Sequence, residues 1–503
     1  YERLEAARQP FLDRARDAAK LTIPSLLPPD GHSAHSKLYT PFQGIGARGV
    51  NNLSSKMLLA LLPPNSPFFR LTVDDFKLQE LAQEEGARAE VEEALSSIER
   101  AVMSEIEASS TRIAAFEAIK HLLVAGNVLL YQPDKGGMRV FHLDRYVMKR
   151  DPMGNPLEII TKEDVSPSAL PEEIRDLLET SDEDTSQDEP VALFTHIVRR
   201  DGKWNVTQEV AGIPVPEATG TFPLDKSPWI PLRLSRIDGE SYGRGYVEEY
   251  QGDLNSLETL TQAIVEAAAA SAKVLFLVRP NGTTRARVLA EAPNGAIREG
   301  DANDVSTLQV QKSGDMQIAF QSSQEIKERL SFAFLMNSSV QRKAERVTAE
   351  EIRYMASELE DALGGIYSIL SQEFQLPLVN RLLLQMQKQK KVPQLPKGLV
   401  SPTIVTGLEA LGRGHDLNKL AAMLDHLAPL GPEAIQKYMN IGDYITRVGT
   451  SLGMDMGGLI KSQEEMEQEE QQAMMMQTGQ QLAPQAFDAM KEQMQQQPPQ
   501  GNE

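Results

Sequence analysis

Arg342, Lys343 and Arg346 place three cations within five residues. Such a cluster can hold phosphate oxygens without reading bases. A second pattern, "GIGARG" at Gly44 to Gly49, matches G-x-G-x-x-G, and in the right setting it would carry a nucleotide-dependent enzyme. That fingerprint needs a strand directly before it in a βαβ unit. The preceding "SAHSKLYTPFQ" contains Pro41 and has no strand pattern. The glycines therefore read as a turn or close-packing segment leading into a helix, "VNNLSSKMLLALL". His32 and His35 form H-x-x-H beside no carboxylate, and the seven histidines nominate no catalytic triad. G-x-x-x-x-G-K-[ST] and H-E-x-x-H are both absent from the sequence. The expectation is a protein that is not an enzyme and that uses no cofactor and no metal.

The cations are unusual because the whole chain carries a formal charge of −20 and a pI near 5.0. A protein that coats nucleic acid spreads lysine and arginine over a phosphate footprint, so any DNA contact here is local. With 503 residues and 41% hydrophobic content, the chain can build several cored domains. It has no cysteine, which excludes disulfides and thiolate zinc sites and suits a reducing compartment. No apolar run approaches a membrane span, and "YERLEAARQPFLDRARD" reads as a charged amphipathic helix rather than a signal peptide. The chain opens on Tyr1 and not on methionine, so a short leader is expected ahead of it.

The elements that position these residues follow from periodicity. Val91, Leu95, Ile98, Val102 and Ile106 recur at steps of three and four, predicting a helix from Glu84 to Ser109; a second is predicted from Thr111 to Ala125. The pattern then alternates, as strands do, in "NVLLYQ", "RVFHLDRYVMKRDPMGNPLEIITKE" and "FTHIVRRDGKWNVTQEV", with Gly154-Asn155 and Asp201-Gly202 as hairpin turns. Glu163 to Glu189 packs carboxylates among Ser, Thr and Pro and reads as a solvated insertion or an acidic binding loop. Tyr246 to Ala272 reads as one helix. A small module with strands "KVLFLV" and "STLQVQ" follows, and "QIAFQSSQEIKERLSFAFLMNSS" returns to helix. The layout projects the module on two helical legs. Thr348 and Glu351 form a capping box that starts a long helix, with bends expected at Gly364-Gly365 and Pro377. The basic stretch is therefore a loop between helices.

The order of leg, strand-bearing module, leg, basic loop and "ERVTAEEIRYMASELEDALGGIYSILSQEFQLPLVNRLL" resembles the portal, or head-to-tail connector, proteins of short-tailed, podovirus-type bacteriophages. "PFQGIGARGVNNLSSKMLLALLPPNSPFFRL" and "IPLRLSRIDGESYGRGYVEEYQGDLNSLE" extend the resemblance. It implies an α+β, mainly helical fold. Residues 1–245 would be a wing, 246–272 the first stem helix, 273–320 a clip and 321–336 the second stem helix. A tunnel loop would follow at 337–347, a long kinked helix and crown at 348–460, and a C-terminal barrel helix at 461–503.

By the same resemblance the chain forms a homo-dodecameric ring at one capsid vertex of the virion, at the head-tail junction, and is made in the host bacterial cytoplasm. Its implied partners are double-stranded DNA in the channel, the major capsid protein, scaffolding protein, terminase packaging motor, tail adaptor or nozzle proteins and internal core proteins, with no membrane. Arg342, Lys343 and Arg346 would be the DNA-contacting tunnel loop. Without the resemblance they read as solvated loop charge, and Arg346 has Glu350 in reach as a partner. Arg279, Arg285, Arg287 and Arg298 give the clip a basic bias. They read either as a docking surface for motor and tail or as turn-flanking arginines that pair between neighbouring subunits.

Overall fold

The computed structural model describes residues 1–73 except 34 and 65–66, then 87–170, 172, 174–175, 190–271, 275–308, 313–336, 363, 365–395, 400–404, 422–427 and isolated positions up to 448. The chain divides into two compact units, one of residues 1–83 and 94–410, the other of 84–93 and 411–503. Nearly all described residues lie in the first. Arg342, Lys343, Arg346, the Thr348/Glu351 pair, most of the acidic insertion and the 461–503 tail fall outside the described residues.

Helix α1 (Glu2–Leu21) is followed by α2 (Ile45–Leu61), strand β1 (Phe69–Val73), α3 (Ala87–Ala108) and α4 (Thr111–Ala125). The α4 boundaries are those its sequence predicts: Gly126 takes the left-handed φ of 72° that ends the helix, and its N–H bonds Leu122 O. In α3 the predicted stripe is buried from Leu95 to Ile106, while Val91 is 36% exposed. Helix α2 begins at Ile45, earlier than expected, so Gly46 and Gly49 lie inside it.

Strands β2 (Asn127–Tyr131), β3 (Arg139–Phe141) and β10 (Trp229–Arg233) form one antiparallel sheet in the order β10-β2-β3. Between them, β4 (Tyr146–Arg150), β5 (Pro156–Val165), β6 (Val191–Arg200), β7 (Lys203–Val210) and β8 (Ile213–Pro214) make a meander, with β9 (Gly220–Pro223) on β7. The β6–β7 hairpin turns through Asp201 and Gly202, whose φ values of 50° and 70° are those of the tight turn the sequence predicts. The described residues of the acidic insertion are only partly solvated. Ile174 packs with Val210 and Val215 in a small core of its own, and Glu163 and Asp164 pair with Arg139 and Arg145. Carboxylates with such partners belong to strand β5 rather than to a free loop.

Helices α5 (Tyr246–Glu249) and α6 (Gln251–Ser271) follow β10. The single helix expected over 246–272 is thus interrupted at Tyr250, whose φ and ψ of −107° and 11° leave the helical range. Strands β11 (Leu275–Val278) and β12 (Val305–Leu308) pair antiparallel around the short helix α7 (Ala286–Ala290). The second leg, α8, spans Ser313–Ala333 and so starts earlier than its sequence pattern suggests. Beyond it come α9 (Gly365–Leu370), a π-helical segment Ser371–Gln375, α10 (Leu376–Lys388) and β13 (Val400–Ile404), which pairs with β1. The predicted break at Pro377 takes the form of that wide turn. A proline ring crowds the carbonyl four residues back, and a π turn gives it room.

Candidate functional site

The two legs pack antiparallel. Arg329 near the end of α8 pairs with Asp253 near the start of α6 at 3.0 Å, and Leu254 and Leu257 are buried like Ile326 and Leu330 opposite. All these contacts lie towards the start of α6 and the end of α8. Farther out, among the described residues, the legs carry exposed apolar side chains: Val265 is 50%, Ile318 67% and Phe320 54% exposed.

The foot of the stem is held by polar side chains and close packing. Glu258, 7% exposed on α6, accepts from Tyr39 Oη at 2.6 Å, Phe42 N at 2.9 Å and Gln43 N at 3.1 Å. One carboxylate thus fastens the irregular segment before α2 onto the first leg. Tyr246 Oη donates to Ala333 O at 2.9 Å, tying the start of one leg to the end of the other. A Cβ on Gly49 would stand 2.5 Å from the Phe334 ring, and one on Gly46 2.5 Å from Leu21 O. Gly46 and Gly49 of "GIGARG" therefore serve helix packing, while Gly44 is the N-cap before the helix. Among the described residues no strand precedes the helix, so the pattern is not a phosphate-binding turn.

Among the described residues, the module at the far end of the legs has no buried hydrophobic side chain. Its buried side chains are polar: Asp304, 8% exposed, accepts from Thr284 N and Thr283 Oγ1, both at 3.1 Å. These donors hold the carboxyl below its ordinary range; the Thr284 backbone N–H contributes most. Its apolar residues point outward, with Phe276 67%, Leu277 51% and Ile297 98% exposed. Arg279, Arg285, Arg287 and Arg298 are all exposed. Arg287 pairs with Glu291 at 2.9 Å; among the described residues the other three make no ion pair. An open cleft of about 460 Å³ beside them is lined by Thr283, Glu299, Gly300, Asp301 and Ala302, a set without a nucleophile and base in partnership. Among the described residues no group of three His, Cys, Asp or Glu side chains could hold a metal, and no helix is long and apolar enough to cross a membrane.

The structure thus brings the four module arginines onto one small unit and says nothing of the loop cations. Sequence reasoning missed Glu258, Asn52 and Lys56. The last could have been flagged, because Lys56 sits on the apolar stripe of α2 among Val50, Leu53, Met57 and Leu61.

The chain combines helices and strands, with two antiparallel legs carrying a small two-stranded module. Residues 1–460 match the bacteriophage head to tail connecting protein family, and the chain belongs to that family. It is 46% identical to the portal protein of Escherichia phage T7 over 484 residues, covering 95% of this chain and 90% of that protein. Identity to the portal protein of Enterobacteria phage T3 is 44% over 483 residues, with 95% and 89% covered. Against that of Enterobacteria phage SP6 it is 32% over 475 residues, with 93% and 90% covered. Its role is accordingly that of a portal-type connector in the virion, a structural part and not an enzyme, with head and tail components as its neighbours.

Proposed function

We propose that the chain closes into a ring of twelve copies at one capsid vertex and that double-stranded DNA passes through the ring during packaging and ejection. The observation that carries this reading is the uncovered outer stem and module. Phe276, Leu277, Ile297, Ile318 and Phe320 are all more than half exposed, and a two-stranded sheet without a core does not hold its shape alone in water. Neighbouring copies supply the missing cover. In this reading residues 1–245 face the capsid and scaffolding proteins as a wing, the module is the clip, 348–460 is the long kinked helix and crown, and 461–503 extends inward towards the internal core proteins as a barrel helix.

The acidic chain lets the duplex slide past, and Arg342 and Lys343, with Arg346 in a lesser role, hold its backbone from the loop at 337–347. Replacing Arg342 and Lys343 with alanine should leave ring formation intact and lower the fraction of full-length genome retained after packaging is stopped, more so as salt rises. Retention equal to the parent at every salt concentration would make the cations solvated surface charge, and the chain would then be an adaptor that does not grip DNA.

The clip arginines dock the terminase motor first and the tail adaptor later, by charge complementarity. The exposed Arg287–Glu291 pair contributes at most a few tenths of a kcal/mol to the module's stability, so charge reversal there tests docking and not folding. Arg285→Glu with Arg287→Glu should abolish motor binding to intact rings. Unchanged binding would assign these side chains to contacts between subunits.

A further inference from the structure

We infer that Asn52 and Lys56 of α2 are positioning residues, which fix the direction in which the chain leaves the second leg and enters the basic stretch at 337–347. This rests on the reading of Arg342 and Lys343 as phosphate contacts only for its consequence in DNA retention; the fixing itself stands on the geometry.

Helix α8 ends at Ala333, and three backbone bonds close its exit: Phe334 N to Leu330 O at 2.9 Å, Leu335 N to Phe332 O at 3.0 Å and Met336 N to Ser331 O at 2.8 Å. The last two are the paired bonds of a left-handed helix termination, a position that glycine normally fills. Here it is Leu335, at φ 51°. A leucine held in that region is strained, and the surroundings must impose it.

The imposing groups come from one face of α2. Gly49, Asn52 and Lys56 are spaced three and four apart and so share that face. Gly49 admits the Phe334 ring to a distance that no Cβ would allow. That approach puts the short Asn52 side chain in reach, and its Nδ2 donates to Phe334 O at 2.9 Å and Leu335 O at 3.0 Å. Lys56 Nζ adds a third bond, to Leu335 O at 3.0 Å, although the residue is only 7% exposed. A buried lysine is costly unless its ammonium is satisfied. At the carbonyl end of a helix it also meets the negative end of the dipole. A lysine serving solubility would point to water; this one is turned inward onto the last carbonyl before the exit.

The test is limited trypsin digestion of assembled rings. Trypsin cuts after Arg342, Lys343 and Arg346, and cuts after Arg285 and Arg287 in the module serve as an internal control. With Lys56→Met, and separately with Asn52→Ala, cleavage within 337–347 should rise severalfold while cleavage in the module stays at the parent rate; Lys56→Arg should restore the parent pattern. Unchanged loop cleavage overturns the inference. Loop and module cleavage rising together does so as well, since that marks general loosening. Failure of both variants to form rings also overturns it, because the pair would then belong to folding. If loop cleavage rises and genome retention falls with it, both readings stand. If cleavage rises and retention does not change, Asn52 and Lys56 keep their positioning role and the phosphate-contact reading of the loop falls.

Discussion

Rings should fail to form when Ala268 is replaced by proline. Ala268 lies in the last full turn of α6 (Gln251–Ser271), on the exposed part of the first leg. Proline there removes the N–H that bonds the carbonyl of Ile264 and drives its ring into that same carbonyl, costing about 3 kcal/mol or more per subunit. The position makes no buried contact within the chain, so a subunit on its own would tolerate the change better than a ring would. In a ring the loss repeats in every copy, and the distorted leg no longer matches its neighbour. Electron microscopy of purified particles measures the outcome. Normal rings would show that this leg need not be a continuous helix for assembly.

Acidification should destabilise the fold through His121, and replacing it with leucine should remove that part of the pH dependence. His121 is 2% exposed in α4, stacks on His142 with ring centroids 5.9 Å apart, and has a buried Nδ1 without a hydrogen-bond partner. Burial first, and the neighbouring His142 second, lower its pKa from 6.5 to about 4. Between those two values the unfolded chain binds a proton that the folded chain refuses, so stability rises with pH across the window. It is fully present above 6.5 and lost as pH falls towards about 4, a difference on the order of 3 kcal/mol. Asp144, which pairs with His142 in the same cluster, acts in the opposite sense on His121 but more weakly than burial. Urea unfolding midpoints at pH 7 and pH 4.5 give the measurement. An equal drop in His121→Leu and in the parent would place the acid sensitivity elsewhere.

What the sequence made legible were elements whose signals are local. The α4 ends could be read because Gly126 is a left-handed stop next to an apolar run, and the β6–β7 hairpin because Asp201-Gly202 fits one turn type. The break at Tyr250 carries no such signal: "YVEEYQGDL" contains good helix formers on both sides, and the interruption follows from tertiary packing of Tyr246 and Tyr250 against Phe334. The early start of α8 was hidden because "SGDM", the four residues ahead of the apolar run, carries a glycine and an aspartate that read as a turn. The glycines of α2 could be denied a nucleotide on local grounds, since no strand precedes them. Their actual partner, Phe334, is too distant in sequence for any local pattern to name it. The four module arginines were visible as a compositional bias. That the module around them has a polar interior and an apolar exterior was not, because "KVLFLV" reads as an ordinary strand until its burial is known.

The joint between α2 and the end of the second leg also sets a timetable. Asn52 and the Phe334 carbonyl it binds are 282 residues apart. At a synthesis rate of roughly 5–20 residues per second, the ribosome needs roughly 14–56 s to make the second after the first. Helices α1, α2 and α4 can meet long before then, since Gly46 packs on Leu21 O and both partners emerge early. The Gly49 face has to wait. The nascent chain therefore builds its N-terminal helices first, and the docking that fixes the exit of α8 is a late step, open only after Phe334 has left the ribosome.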